Sequence, residues 1–129
     1  MVSVERELTF NTDLLKGPRS FEKRWSLPVV NGVVEKLTGR LIVEYSSWMG
    51  EVVFMVAVNS DGKEVFRNDF VVLGGAQMTP PFAKRSLTKD LDLPINTRVG
   101  QGTVEVELRV STAVGSLSGV LRDLELVVK

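Results

Sequence analysis

The chain has 129 residues, 43% of them hydrophobic, with 16 Lys and Arg balancing 16 Asp and Glu, and it contains neither His nor Cys. A chain of this size is read as a single domain, 1–129, which buries roughly two thirds of its unfolded surface and needs no disulfide staples. Zero formal net charge argues against nucleic acid as a partner, and the missing His and Cys exclude Ser–His–Asp and Cys–His nucleophiles, zinc–cysteine sites and iron–sulfur clusters.

The N-terminal stretch MVSVERELTF alternates polar and apolar residues. Val2, Val4, Leu8 and Phe10 form one face of a half-buried strand, and Arg6 interrupts that face as an edge residue whose head reaches water. The stretch lacks the apolar h-region of a signal peptide. No window approaches the ~18 apolar residues of a spanning helix, so no membrane insertion is expected. The chain is expected to be cytoplasmic in origin or a mature chain whose signal has been removed.

A connection over 11–20, punctuated by Gly17-Pro18, leads into SFEKRWSL, which sets Phe21, Lys23, Trp25 and Leu27 on one side. In PVVNGVV, Asn31-Gly32 between valines predicts a type I′ hairpin, because both central residues must take positive φ. LTGRLIVEYS places Leu37, Leu41, Val43 and Tyr45 on one face, and GEVVFMVAV reads as a central strand buried on both faces. Ser60-Asp61-Gly62 turns the chain into KEVFRNDFVVL. The irregular segment GGAQMTPPF, 74–82, follows. Leu87, Lys89, Leu91 and Leu93 then alternate with Ser86, Thr88, Asp90 and Asp92. After NTRVGQG, Val104, Val106, Leu108 and Val110 alternate with Glu105, Glu107 and Arg109. Gly115 and Gly119 bracket a short turn, and VLRDLELVVK closes the chain.

Eight or nine strands with turn signals about every ten residues predict an all-β fold, an antiparallel β-sandwich of jelly-roll type. The sparse Asn and Gln, with no Cys and many valines, fit a thermophile.

Phosphate-binding and dinucleotide motifs fail on context: Leu73-Gly74-Gly75-Ala76 lacks the following Lys, and Gly100-Gln101-Gly102 precedes a strand. Carboxylates remain. Asp90 and Asp92 share a strand face, but a solvated face beside Lys89 accounts for them, and no enzyme is expected.

The closing stretch GTVEVELRVSTAVGSLSGVLRDLELVV, a strictly alternating strand leading into a last strand with a lone Asp, resembles the galactose-binding-like jelly rolls of carbohydrate-binding modules. The resemblance implies sugar binding through aromatic faces, and a structural calcium with Asp123 as a ligand.

The stretch YSSWMGE is apolar for a connection. Tyr45, Trp48 and Met49 there, with Trp25, are the aromatic and apolar side chains available for contact. Met78, Pro80, Pro81 and Phe82 form a second apolar, stiff, loop-borne feature. Trp48 is read three ways: as a cap on the open end of the core, as an interface residue, or as a sugar platform. The reading that follows is a non-enzymatic subunit acting by self-association or protein contacts, as in a coat, virion or surface layer. Strand addition by MVSVERELTF is one specific form. The alternative is a carbohydrate-binding module in which Tyr45, Trp48 and Trp25 stack on a glycan.

Overall fold

The structure is a computed structural model, and it describes residues 1–12, 20–77 and 83–129. The fold is all-β and antiparallel throughout, as the alternation predicts. The eight or nine short strands expected appear as four continuous elements: β1 (Val2–Asn11), β2 (Ser20–Ser60), β3 (Lys63–Gln77) and β4 (Arg85–Val128). They are hydrogen-bonded in the order β1-β4-β2-β3.

The two long elements change partner along their length. In β2, residues 20–30 pair with 101–111 of β4, residues 32–45 with 85–99, residues 34–46 also with 116–128, and residues 49–60 with 102–114. Among the described residues, β1 pairs only with 118–126 of β4, and β3 only with 48–60 of β2. The pairings therefore sort into two sets of four runs. One set runs β1, 116–128, 32–46, 85–99. The other runs 20–30, 101–114, 49–60, β3. One apolar cluster draws on both sets, with Val34, Leu37, Leu41, Val43, Leu121 and Leu124 from the first and Val52, Phe54, Val56, Val104, Val106 and Leu108 from the second. Period-two alternation supplies this face on every central run.

The hairpin expected at Asn31-Gly32 is not formed. Val30 pairs with Gln101 and Gly32 with Val99, so the ladder to β4 passes straight across Asn31. Asn31 alone takes the left-handed conformation, at φ 49°, which Asn tolerates better than most residues. The Asn-Gly pair here serves a corner at which β2 leaves one set of runs and enters the other. Gly32 answers to close packing, because a Cβ there would lie 2.9 Å from Val128 Cγ1.

The type I′ geometry sits instead at Asp61-Gly62, where both residues have positive φ, 52° and 81°. They join Ser60 and Lys63, which are paired, and this two-residue loop matches the twist of its strands. Gln101 N donates to Asp61 Oδ1 at 3.3 Å and Asp61 N donates to Gln101 O at 2.9 Å, pinning the turn against β4. Just beyond it, the Arg67 guanidinium donates to Glu64 at 2.7 Å and holds that exposed carboxyl below its usual range.

A matching corner at the other end joins Ser47 (φ 40°) to Gly115 (φ 77°). A Cβ on Gly115 would lie 1.8 Å from Ser47 O, whereas one on Gly62 meets nothing within 4 Å. Both glycines escape the left-handed penalty of about 1–2 kcal/mol that a side chain pays. Gly62→Ala is therefore expected to cost about that penalty alone. Gly115→Ala adds a backbone collision and should cost distinctly more. Urea unfolding of the two variants checks the order.

Candidate contact surface at the Trp48 end

The Ser47–Gly115 corner closes one end of the molecule, and Trp48 is fully buried in it at 0% exposure. Its indole N–H donates to Thr112 Oγ1 at 3.2 Å. Thr112 Oγ1 lies 2.8 Å from Thr12 Oγ1. Leu117 N donates to Thr12 Oγ1 at 3.1 Å, and the Thr12 hydroxyl is 3.1 Å from Leu117 O, to which Thr12 N also donates at 2.9 Å.

Each hydroxyl has one proton to give, so one arrangement satisfies all four groups. Thr12 donates to Leu117 O, Thr112 donates to Thr12, and Trp48 donates to Thr112. The relay ties the residue after β1, the middle of β2 and two runs of β4 at a single point. Buried polar groups cost least when each has its partner, and this set is complete.

Trp48 is thus enclosed, as the core-cap reading expects, and in this structure none of its side chain is exposed. Tyr45 is buried as well, at 9% exposure. Trp25 is half-buried on 20–30, opposite Val106 and far along the ladder from Trp48, and its enclosed indole N–H has no hydrogen-bond partner among the described residues. The three aromatics proposed as a glycan platform are thus two core residues and one edge residue, and the structure does not bring them together.

Met49 is different. It is 41% exposed, and its cross-strand partner Val114 is 45% exposed. On its other side Met49 pairs with Ala76, also exposed. These three form an exposed apolar strip beside the buried Trp48. Val114 and the two threonines escaped the sequence reading: Thr12 fell in the connection over 11–20, Val114 lay just before the turn bracketed by Gly115 and Gly119, and a hydroxyl at the end of a strand carries no local signal. Met78, Pro80, Pro81 and Phe82 lie outside the described residues.

Asp123 sits at an exposed bulge with φ 51°, between Arg122, which pairs with Glu7, and Leu124, which pairs with Glu5. Among the described residues, no group of three or more His, Cys, Asp or Glu side chains is placed to hold a metal, so the calcium reading gains no support from side chains. Asp90 and Asp92 border an open depression that Asp69 of β3 also lines. Each meets a cation on β2 in the open: Asp90 lies 3.0 Å from Arg40 and Asp92 3.5 Å from Lys36. Among the described residues there is no helix long and apolar enough to cross a membrane.

No family model matches the chain, and no curated protein matches it. Among solved structures it is similar to infectious bursal disease virus, Gt strain, at 14% identity over 93% of this chain and 31% of that one, with a TM-score of 0.47. The VP2 subviral particle of the same virus gives 11% identity over 92% and 32%, with a TM-score of 0.41. The enzymatically active domain of bacteriophage CBA120 tailspike protein 4 gives 9% identity over 99% and 18%, with a TM-score of 0.37. The chain spans less than a third of the length of each. The galactose-binding-like resemblance finds no support in these comparisons.

Because the relay leaves no spare donor, Thr112→Val strands the indole N–H and should cost about 1–3 kcal/mol. Trp48→Ala empties a buried site and should cost about 3–5 kcal/mol. Loss of a Trp48 side chain from the surface would cost far less, so calorimetry of the two variants tests the cap assignment directly.

Proposed function

We propose that the chain is a non-enzymatic β-sandwich of jelly-roll type that works by assembly, with the Met49 end as its contact surface. The sandwich reading is supported by the two sets of four runs sharing one apolar cluster. Two packed layers are the usual way to bury one-sided sheets. In this arrangement β2 and β4 pass from one layer to the other at the Asn31 and Ser47 corners.

The observation that carries the assembly reading is the pairing of Met49 with Val114, both strongly exposed, beside the buried and hydrogen-bonded Trp48. An apolar strip on a rigid base suits protein contact, since little ordering is paid for on binding. Met adapts its shape to a partner surface. Zero formal net charge removes the long-range repulsion that would hold copies apart. With Tyr45 and Trp48 buried, the glycan-platform alternative loses two of its three side chains.

Met49→Asp combined with Val114→Asp puts charge on the strip without touching the core, where surface changes usually cost within ~0.5 kcal/mol. Light scattering coupled to size exclusion, run over a range of protein concentrations, is expected to show a discrete oligomer for the parent chain. The double variant should run as a monomer with an unchanged unfolding midpoint. A parent chain that stays monomeric at high concentration would overturn the assembly reading.

A further inference from the structure

Among the described residues, four runs have a neighbour on one side only: β1, 20–30, β3 and 85–99. Such open edges present unpaired backbone N–H and C=O groups to any other strand. On each of them, the core-facing row carries at least one polar side chain. Arg6 falls between Val4 and Leu8 on β1, both packed on the core. Lys23 is opposite fully buried Leu108, Asn68 is opposite fully buried Val56, and Lys89 is opposite Leu41, which is 1% exposed.

The central runs show the contrast. Their core-facing positions are Val34, Leu37, Gly39, Leu41, Val43 and Tyr45 on 32–46, Val52, Phe54, Val56 and Val58 on 49–60, and Val104, Val106, Leu108 and Val110 on 101–114. These are apolar or glycine, and the one polar residue that continues a row, Thr112 after Val110, is buried and hydrogen-bonded in the relay. All four edge residues are exposed. Arg6, Lys23 and Lys89 make no ion pair among the described residues, so pairing does not account for their placement.

At an open edge a long cation lays its stem on the core and keeps its head in water. A further strand added there would cover that head. Desolvating an unpaired ion is costly, and that cost opposes the modest net gain from new ladder hydrogen bonds. We propose that Arg6, Lys23, Asn68 and Lys89 close the four open edges to strand addition, so that a second copy of this chain is met at the Met49 end and not along an edge. The part that directs the second copy to the Met49 end rests on the assembly reading. The closing of the edges stands apart from it. Strand addition by β1, the form of assembly expected from the alternation of MVSVERELTF, is the mode these residues oppose.

The test uses the full chain with Arg6→Val, Lys23→Val and Lys89→Val together. The control carries Glu7→Val, Glu22→Val and Thr88→Val, the same number of valines on the same runs but facing away from the core. Light scattering and thioflavin T fluorescence are read for both and for the parent chain. The core-row triple is expected to grow with concentration into large species and to raise thioflavin T fluorescence several-fold, while the control stays at the parent mass. A core-row triple that keeps the parent mass, or a control that grows equally, would overturn the proposal. A monomeric parent beside a growing core-row triple would sink the assembly reading and leave the closed edges standing.

Discussion

The ladder between β2 and β4 is the constraint on which the rest of this fold depends. It runs with one change of partner after another from Ser20 to Ser60. Among the described residues β1 forms ladder pairs only with β4 and β3 only with β2, so each outer element depends on one of the two long ones for its place in the sheet. The corners must then obey the ladder and not the reverse. Asn31 and Ser47 take left-handed backbone because extended pairing resumes at once on the far side. Gly115 is glycine because Ser47 O occupies the space where a Cβ would go.

A corner that keeps extended backbone on both sides brings polar groups inside. The Thr12–Thr112–Trp48 relay is the consequence. Its hydroxyls sit where two runs of β4, the middle of β2 and the end of β1 meet, and their protons have one consistent assignment. The same crowding that buries Trp48 leaves Met49 outside, since consecutive residues of an extended chain face opposite ways. A buried cap and an exposed contact residue are thus one structural fact seen from two sides.

Much of this was legible in the sequence. Alternation over 104–110 and 87–93 fixed the inward residues, and Ser60-Asp61-Gly62 marked its turn. The corners were not legible. Asn31-Gly32 has the composition of a hairpin because hairpins and corners both need a residue that accepts positive φ; only the partner distinguishes them, and the partner lies some seventy residues away at Val99 and Gln101. YSSWMGE looked like an exposed connection because nothing local says that the chain stays extended through it. The hydroxyl relay left no trace, since threonine is ordinary in strands. Arg6, Lys23 and Lys89 were visible as interruptions of apolar faces, but their meaning required knowing which runs lie at the edges.

Charge placement gives the last step. A chain with 16 basic and 16 acidic residues has no net repulsion to keep copies apart, and neutrality favours association. Dispersal must then come from where individual charges sit. A cation on the outward face of an edge strand remains solvated when another strand arrives, and so opposes it weakly. One on the core-facing row loses its water. Three of the four open runs carry the cation on that row, and the fourth carries Asn68, a weaker barrier. β3 is also the run whose outward positions hold Glu64, Arg67 and Asp69, with Arg67 paired to Glu64 and Arg109 of β4 reaching Asp69 at 3.6 Å. The edge with the mildest obstacle inside thus has ion pairs outside. Exposed Val65 and Val71 are interleaved with them, which makes β3 the edge where opposition to a further strand is weakest.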